Sequence, residues 1–177
     1  MQTLMKPKKL VTVLTLVLAM NMSAALSAQT AGETVLKPTE VEKLFPATVY
    51  YAGQTAPAQI RNSGGVKFAD GHYVLASLVD TAGYSSAVAA KYQGYLITEV
   101  PLQIGGKRLA AGAYGIGFVS ASNFVVTDLG GKDVITSQST TDSAMARPRP
   151  LQVTADPAGG IRLYAGRSYV HITRSGS

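Results

Sequence analysis

The chain has 177 residues, a formal net charge of +6, 46% hydrophobic and 15% charged residues, and neither cysteine nor tryptophan. The missing cysteine excludes disulfides, thiolate zinc sites and cysteine nucleophiles. The length argues for one domain, and the modest positive charge is too weak for a nucleic-acid footprint.

The first predicted element is a targeting segment. Lys6, Lys8 and Lys9 form a positive n-region, Leu10–Met20 an apolar h-region shorter than a bilayer span, and Ser23-Ala24-Ala25-Leu26-Ser27-Ala28 a small-residue cleavage region. The expectation is a secretory signal peptide over residues 1–28, export to the bacterial periplasm or beyond, and no transmembrane segment in the mature chain. A lipid-anchored form is excluded for want of a cysteine to modify. The mature chain then has about 149 residues, enough to bury roughly two-thirds of its unfolded surface without covalent staples. Setting the three leader lysines aside reduces 16 basic residues to thirteen, against 10 acidic ones.

Residues 29–38 read as a flexible leader, and residues 39–177 as a single β-domain. Thr39 and Glu42 have capping-box spacing, Val41, Leu44 and Phe45 share a helical face, and Pro46 ends the run, which predicts a short helix over Glu40–Phe45. Four Gly-Gly pairs follow, at 64-65, 105-106, 130-131 and 159-160. Each lies between β-branched or aromatic runs and predicts a hairpin turn.

The strands follow from alternation. Ala47–Ala52 is the first and Ala58–Arg61 a short second. Val66–Ala69 and His72–Leu78 flank Asp70-Gly71, a register that would set Phe68 against Tyr73 and Val66 against Leu75, with Lys67 and His72 on the other side. Tyr84–Lys91 reads as a short helix or loop, and Gln93–Ile104 as one or two strands broken near Pro101. In Ala113–Val119, Tyr114, Ile116 and Phe118 share a face. Gly115 and Gly117 lie opposite, where a bulky group or another backbone can approach closely. Leu109-Ala110-Ala111-Gly112-Ala113-Tyr114 resembles the L-x-x-G-x-Y hairpin lead-in of exported bacterial β-sandwich domains, which implies that fold class and carries no activity.

Phe124–Asp128 and Lys132–Ser137 form the next hairpin, and Ser137–Met145 a polar loop. Arg147-Pro148-Arg149-Pro150 is extended, because proline disfavours helix at itself and just before it. Leu151, Val153 and Ala155 point inward, and Asp156-Pro157-Ala158-Gly159 is a turn with proline at its second position. The fold class expected is all-β: an antiparallel sandwich or partly closed barrel of about nine or ten short strands with one short N-terminal helix.

The closing runs, Ile161–Tyr164 and Arg167–Thr173, flank Ala165-Gly166 and read as a hairpin. Ile161, Leu163, Val170 and Ile172 fall on one face. Arg162, Tyr164, Arg167, Tyr169 and His171 fall on the other and form the candidate ligand-binding face, with Tyr164 opposing Arg167 and Arg162 opposing Tyr169. Either the arginines and tyrosines pair with each other, or the guanidinium forks meet an anion while the phenol rings stack on its apolar or sugar portion. From Ser143 onward five arginines accompany one acid, Asp156.

No catalytic motif accompanies this face. G-x-S-x-G, S-x-x-K and H-E-x-x-H are absent, and the only imidazoles, His72 and His171, lie far apart in sequence. Gly112-Ala113-Tyr114-Gly115-Ile116-Gly117 lacks phosphate-loop spacing, and Asp128 and Asp133 are explained by their Gly-Gly turn. The reading is an exported, non-enzymatic β-domain of the bacterial envelope. It needs no cofactor or metal, and its partner is an anionic or amphipathic ligand, an anionic envelope polymer, or a protein, not nucleic acid. Two alternatives stay open: a barrel holding a small apolar ligand, with room at Gly115 and Gly117, and a hydrolase using two carboxylates.

Overall fold

Alternating apolar side chains and glycine-rich turns give this chain two faces per strand, and the fold buries both faces of its larger sheet. The computed structural model describes residues 32–120 and 122–176. The expected signal peptide, residues 1–28, lies outside the described residues. The elements are β1 (Thr34–Leu36), α1 (Pro38–Val41), β2 (Thr48–Tyr51), β3 (Gln54–Lys67), β4 (Tyr73–Val79), α2 (Ser86–Ala89), β5 (Gly94–Thr98), β6 (Leu102–Ile104) and β7 (Lys107–Leu109). They continue with β8 (Gly112–Val119), β9 (Asn123–Thr127), β10 (Asp133–Gln138), β11 (Thr140–Thr141), β12 (Arg149–Ala155), β13 (Ile161–Gly166) and β14 (Ser168–Arg174).

The strands form an all-β antiparallel sandwich. The larger sheet runs β1-β3-β4-β5-β8-β9-β10, with β2 added to β3. The smaller runs β12-β13-β14-β6-β7, with β11 added to β14. Between the sheets lies the main core. Val66, Val74, Leu96, Ile116, Phe124 and Val126 come from the larger sheet, and Leu102, Ile104, Leu163, Val170 and Ile172 from the smaller. A second core covers the opposite face of the larger sheet, where Val41, Phe45, Val49, Tyr51 and Tyr92 pack on Leu75, Val79 and Tyr95. The result is three layers with the larger sheet in the middle, and the smaller sheet has an outer face that no further layer covers.

Gly115 and Gly117 meet the close approach expected of them. A Cβ on Gly115 would lie 2.5 Å from Tyr51 Cε2, and one on Gly117 would collide with the Lys91 carbonyl. The room belongs to the chain itself. Two apolar crevices at the margins of the sandwich hold only about 10 Å³ each. Tyr114 on the other face donates its hydroxyl to Ala110 O at 3.1 Å, pinning the β7–β8 connection. Lys107 Nζ on β7 reaches across to Thr136 O of β10 at 3.1 Å and links the margins of the two sheets.

Several expectations are corrected. Thr34–Leu36, inside the expected leader, pairs with Gly65–Lys67 of β3. The helix over Glu40–Phe45 is replaced by a single turn, Pro38–Val41, starting from Lys37 instead of Thr39. Pro38 occupies the first turn, where its missing N–H costs nothing, and the Glu40 carboxylate accepts from the Lys37 N–H at 2.9 Å. Gly64-Gly65 is no turn but mid-strand. Val153 of β12 crosses over Gly64 with its N 2.9 Å from where a Cβ would stand, so the pair serves sheet-on-sheet contact.

The β3–β4 hairpin pairs Lys67 with Tyr73 and Val66 with Val74, one residue away from the expected register. Phe68 N–H bonds to His72 O, and Gly71 takes a positive φ, so the loop has three residues instead of two. A one-residue slip sends side chains to opposite faces. Phe68 accordingly enters the main core, while Tyr73 and Leu75 join the other. Ala155, expected inward, is exposed. The strands beyond the nine or ten expected are mostly two- or three-residue pieces.

Candidate functional site

The closing hairpin turns through Gly166 and Arg167, since Ala165 pairs with Ser168, Tyr164 with Tyr169 and Arg162 with His171. The expected pairings, Tyr164 with Arg167 and Arg162 with Tyr169, are therefore corrected. Gly166 at φ +61° is what lets the turn sit one residue later than Ala165-Gly166. The faces survive, because moving the pairing by an even count keeps side chains on their sides. Ile161, Leu163, Val170 and Ile172 are buried in the core. Arg162, Tyr164, Tyr169 and His171 share the outer face, and Arg167 is exposed at the turn.

Register extends this face across the smaller sheet. Gln152 pairs with Tyr164 and Thr154 with Arg162. On the other side, Thr173 pairs with Gln103, which pairs with Arg108. Between Gln152 and Arg149 the ladder shifts, and Arg149 comes opposite Gly166. That irregularity brings Arg149 onto the outer face, where strict alternation from Leu151 would have turned it inward.

Self-pairing accounts for much of the hairpin face. Asp156, 8% exposed, accepts from Arg162 Nε at 2.7 Å, Arg162 Nη2 at 3.4 Å and the Ala158 N–H at 2.8 Å. Burial pushes the Asp156 carboxyl up, but the Arg162 fork and the Ala158 N–H together outweigh it and hold the group below its usual value. The same bond raises Arg162, which stays cationic. The Arg162 guanidinium also lies 4.7 Å from the Tyr169 ring centroid, and Tyr169 packs against Tyr164 at 5.0 Å. Tyr164 is buried rather than facing water. The loop before β12 covers it, and its hydroxyl bonds to Asp142 Oδ2 at 3.1 Å. His171 Nε2 is 2.7 Å from Gly159 O and 3.8 Å from Asp156 Oδ2. A carbonyl only accepts, so Nε2 carries the proton, and in the neutral ring Nδ1 is left as an acceptor.

Beside these residues lies an open groove of about 280 Å³. It runs along one edge of β14, where β11 pairs with Ser168 and Tyr169 and β6 pairs with Ile172–Arg174. Between the two ladders, Val170 and His171 have no register partner on that edge. The bonds from Asp142 N to Arg167 O and from Ser175 N to Pro101 O show that odd-numbered β14 residues turn their peptide groups this way. The His171 N–H is therefore aimed into the break. Tyr169, His171 and Thr173 line the groove from β14, joined by Gln103, Gln138 and Thr140.

Other ionisable groups gather elsewhere. His72 Nδ1 lies 3.1 Å and Arg174 Nη1 2.6 Å from the Asp70 carboxylate. Arg174 is the main reason that Asp70 falls to about 2. Asp128 accepts from the Gly130 and Lys132 N–H groups as a turn residue, and Asp133 pairs with Lys91. Among the described residues, no three His, Cys, Asp or Glu side chains converge to hold a metal ion. No helix there is long and apolar enough to cross a membrane.

Sequence reasoning missed Asp156 as the partner of Arg162, reading it as a turn residue only. It also missed the groove. Thr173 was legible, being two residues from His171 on the same strand, but Gln103, Gln138 and Thr140 arrive from separate strands with no local signal. No protein-family model, curated protein or solved structure matches this chain.

Proposed function

We propose that this chain is an exported, non-enzymatic binding domain of the bacterial envelope, and that its ligand surface is the outer face of the smaller sheet. The carrying observation is a division of labour among that face's charges. Arg162, Asp156 and His171 hold one another and Tyr164 is held by Asp142, which argues against a nucleophile with a free base. Arg108, Arg149 and Arg167 sit on the same face or its tip without a carboxylate partner among the described residues. Arg167 Nε donates to the Met145 carbonyl at 3.3 Å, and guanidinium forks that face no carboxylate suit phosphate or carboxylate groups spaced along a polymer. Export is supported by the positive n-region, apolar stretch and small-residue site of the first 28 residues. The apolar-ligand alternative lacks the space it needs at Gly115 and Gly117, which Tyr51 and Lys91 fill.

The test is retention on beads bearing phosphate-rich envelope polymers, lipopolysaccharide and wall teichoic acid, over a salt gradient. The protein should be retained at low salt. The double variant Arg149→Ala, Arg167→Ala should elute earlier with an unchanged melting temperature. Equal elution of variant and parent on both polymers overturns the proposal. Fractionation of an expressing bacterium tests the compartment, and a protein found wholly in the cytoplasm overturns that part.

A further inference from the structure

The groove beside β14 has a chemistry distinct from the arginine tip. The side chains of Gln138, Thr140 and Thr173 make no hydrogen bond within the described residues, although all three line it. Gln103 contributes an amide engaged only by a long 3.4 Å contact to Gly106 O, and Ser137 a hydroxyl with a 3.4 Å contact to Gln138 O. Each of these groups can both donate and accept. The charged groups at the groove's margin are already committed: Asp156 to Arg162, and the His171 Nε2–H to Gly159. Tyr169, whose ring carries Arg162 over it and Tyr164 beside it, forms part of the wall, and the His171 peptide N–H points into the break between ladders.

A ligand matched to this lining carries several neutral hydroxyls, each donating and accepting, on a compact ring with an apolar flank for Tyr169. We infer that the groove between β11 and β6 binds a neutral sugar unit. This deepens the binding reading above and rests on it. The volume, about 280 Å³, lies at the small end of ligand sites and suits one ring better than an extended chain. Recognition here is by neutral hydrogen bonds, so salt should affect it little, in contrast to retention through Arg149 and Arg167.

The test uses the ¹⁵N-labelled protein purified from an expressing bacterium, titrated with maltotetraose and chitotetraose. At least one sugar should shift the amide resonances of Gln103, Thr140, Tyr169, His171 and Thr173 in a saturable manner that persists at raised salt. The variant Thr140→Val, Thr173→Val keeps side-chain shape and should preserve the rest of the spectrum while weakening binding about tenfold, as expected for two lost neutral hydrogen bonds. The inference is overturned if neither sugar shifts these resonances, or if the valine variant binds as tightly as the parent. If the sugars fail while Arg149→Ala, Arg167→Ala still lowers polymer retention, the groove assignment falls and the binding reading stands. If both fail, both fall.

Discussion

Gly115 lies beneath the ring of Tyr51, and Tyr51 in turn donates to or accepts from Thr127 Oγ1 at 2.8 Å, so neither partner is free to move. Gly115→Ala should therefore be an overpacking substitution. Its Cβ would lie 2.5 Å from the ring and 2.6 Å from Thr127 Oγ1. The expected cost is about 1–3 kcal/mol in chemical denaturation. A variant as stable as the parent would mean that Tyr51 can swing out of the second core.

Tyr92 presents the opposite situation. It is fully buried, stacked on Tyr51 with ring centroids 3.8 Å apart, and among the described residues its hydroxyl makes no well-formed hydrogen bond, having only the Tyr84 phenol beside it. Burial also pushes its phenol well above the ordinary tyrosine value. Tyr92→Phe removes an unsatisfied polar atom and keeps the stack, so stability should rise or stay level. A calorimetric melt checks the sign, and a clear fall would reveal a partner for that hydroxyl.

Asp156 and Arg162 should behave as a pair. Asp156→Asn should cost about 1–3 kcal/mol, because Arg162 keeps its charge without a carboxylate. Arg162→Ala should cost a similar amount, leaving Asp156 buried with only the Ala158 N–H. Arg149→Ala and Arg167→Ala should lie within roughly 0.5 kcal/mol of the parent, as exposed substitutions do. Urea titrations of the four variants separate the two classes.

The acid side of the stability curve follows from the same carboxylates. Asp156 and Asp70 are both held below their ordinary values, Asp70 at about 2. A group depressed in the folded state binds fewer protons there than in the unfolded chain. Its contribution is therefore complete above the unfolded value of about 4, and it fades as the pH drops through the folded value. Stability should decline from about pH 4 downward, and Asp156→Asn should flatten part of that decline. An unchanged slope in the variant would show that Asp156 does not contribute.

Much of the strand order was readable because turns and alternation are local. Gly105-Gly106, Gly130-Gly131 and Gly159-Gly160 all lie at turns, and the inward set Ile161, Leu163, Val170 and Ile172 is buried. What escaped depended on the third dimension. Gly64-Gly65 looks like any turn pair until β12 is laid across it. The Asp70-Gly71 loop needed one more residue than its dipeptide implied, and that residue exchanged the faces of Tyr73 and Leu75. At the candidate site, five residues of one hairpin were legible as a face. Whether each was spent or free depended on Asp156, Asp142 and Gly159, and only the packed structure brings those against the hairpin.

The lysine that spans the margins of the two layers carries a consequence for concentrated solutions. β10 ends the larger sheet with peptide groups that another molecule could extend, and Lys107 already sits on one of its carbonyls. A neighbour adding itself there would have to displace an ammonium ion and leave it in a less hydrated place, an arrangement that discourages open-ended strand addition. Lys107→Ala should expose that rim, and light scattering during prolonged incubation should then register slow self-association that the parent protein avoids.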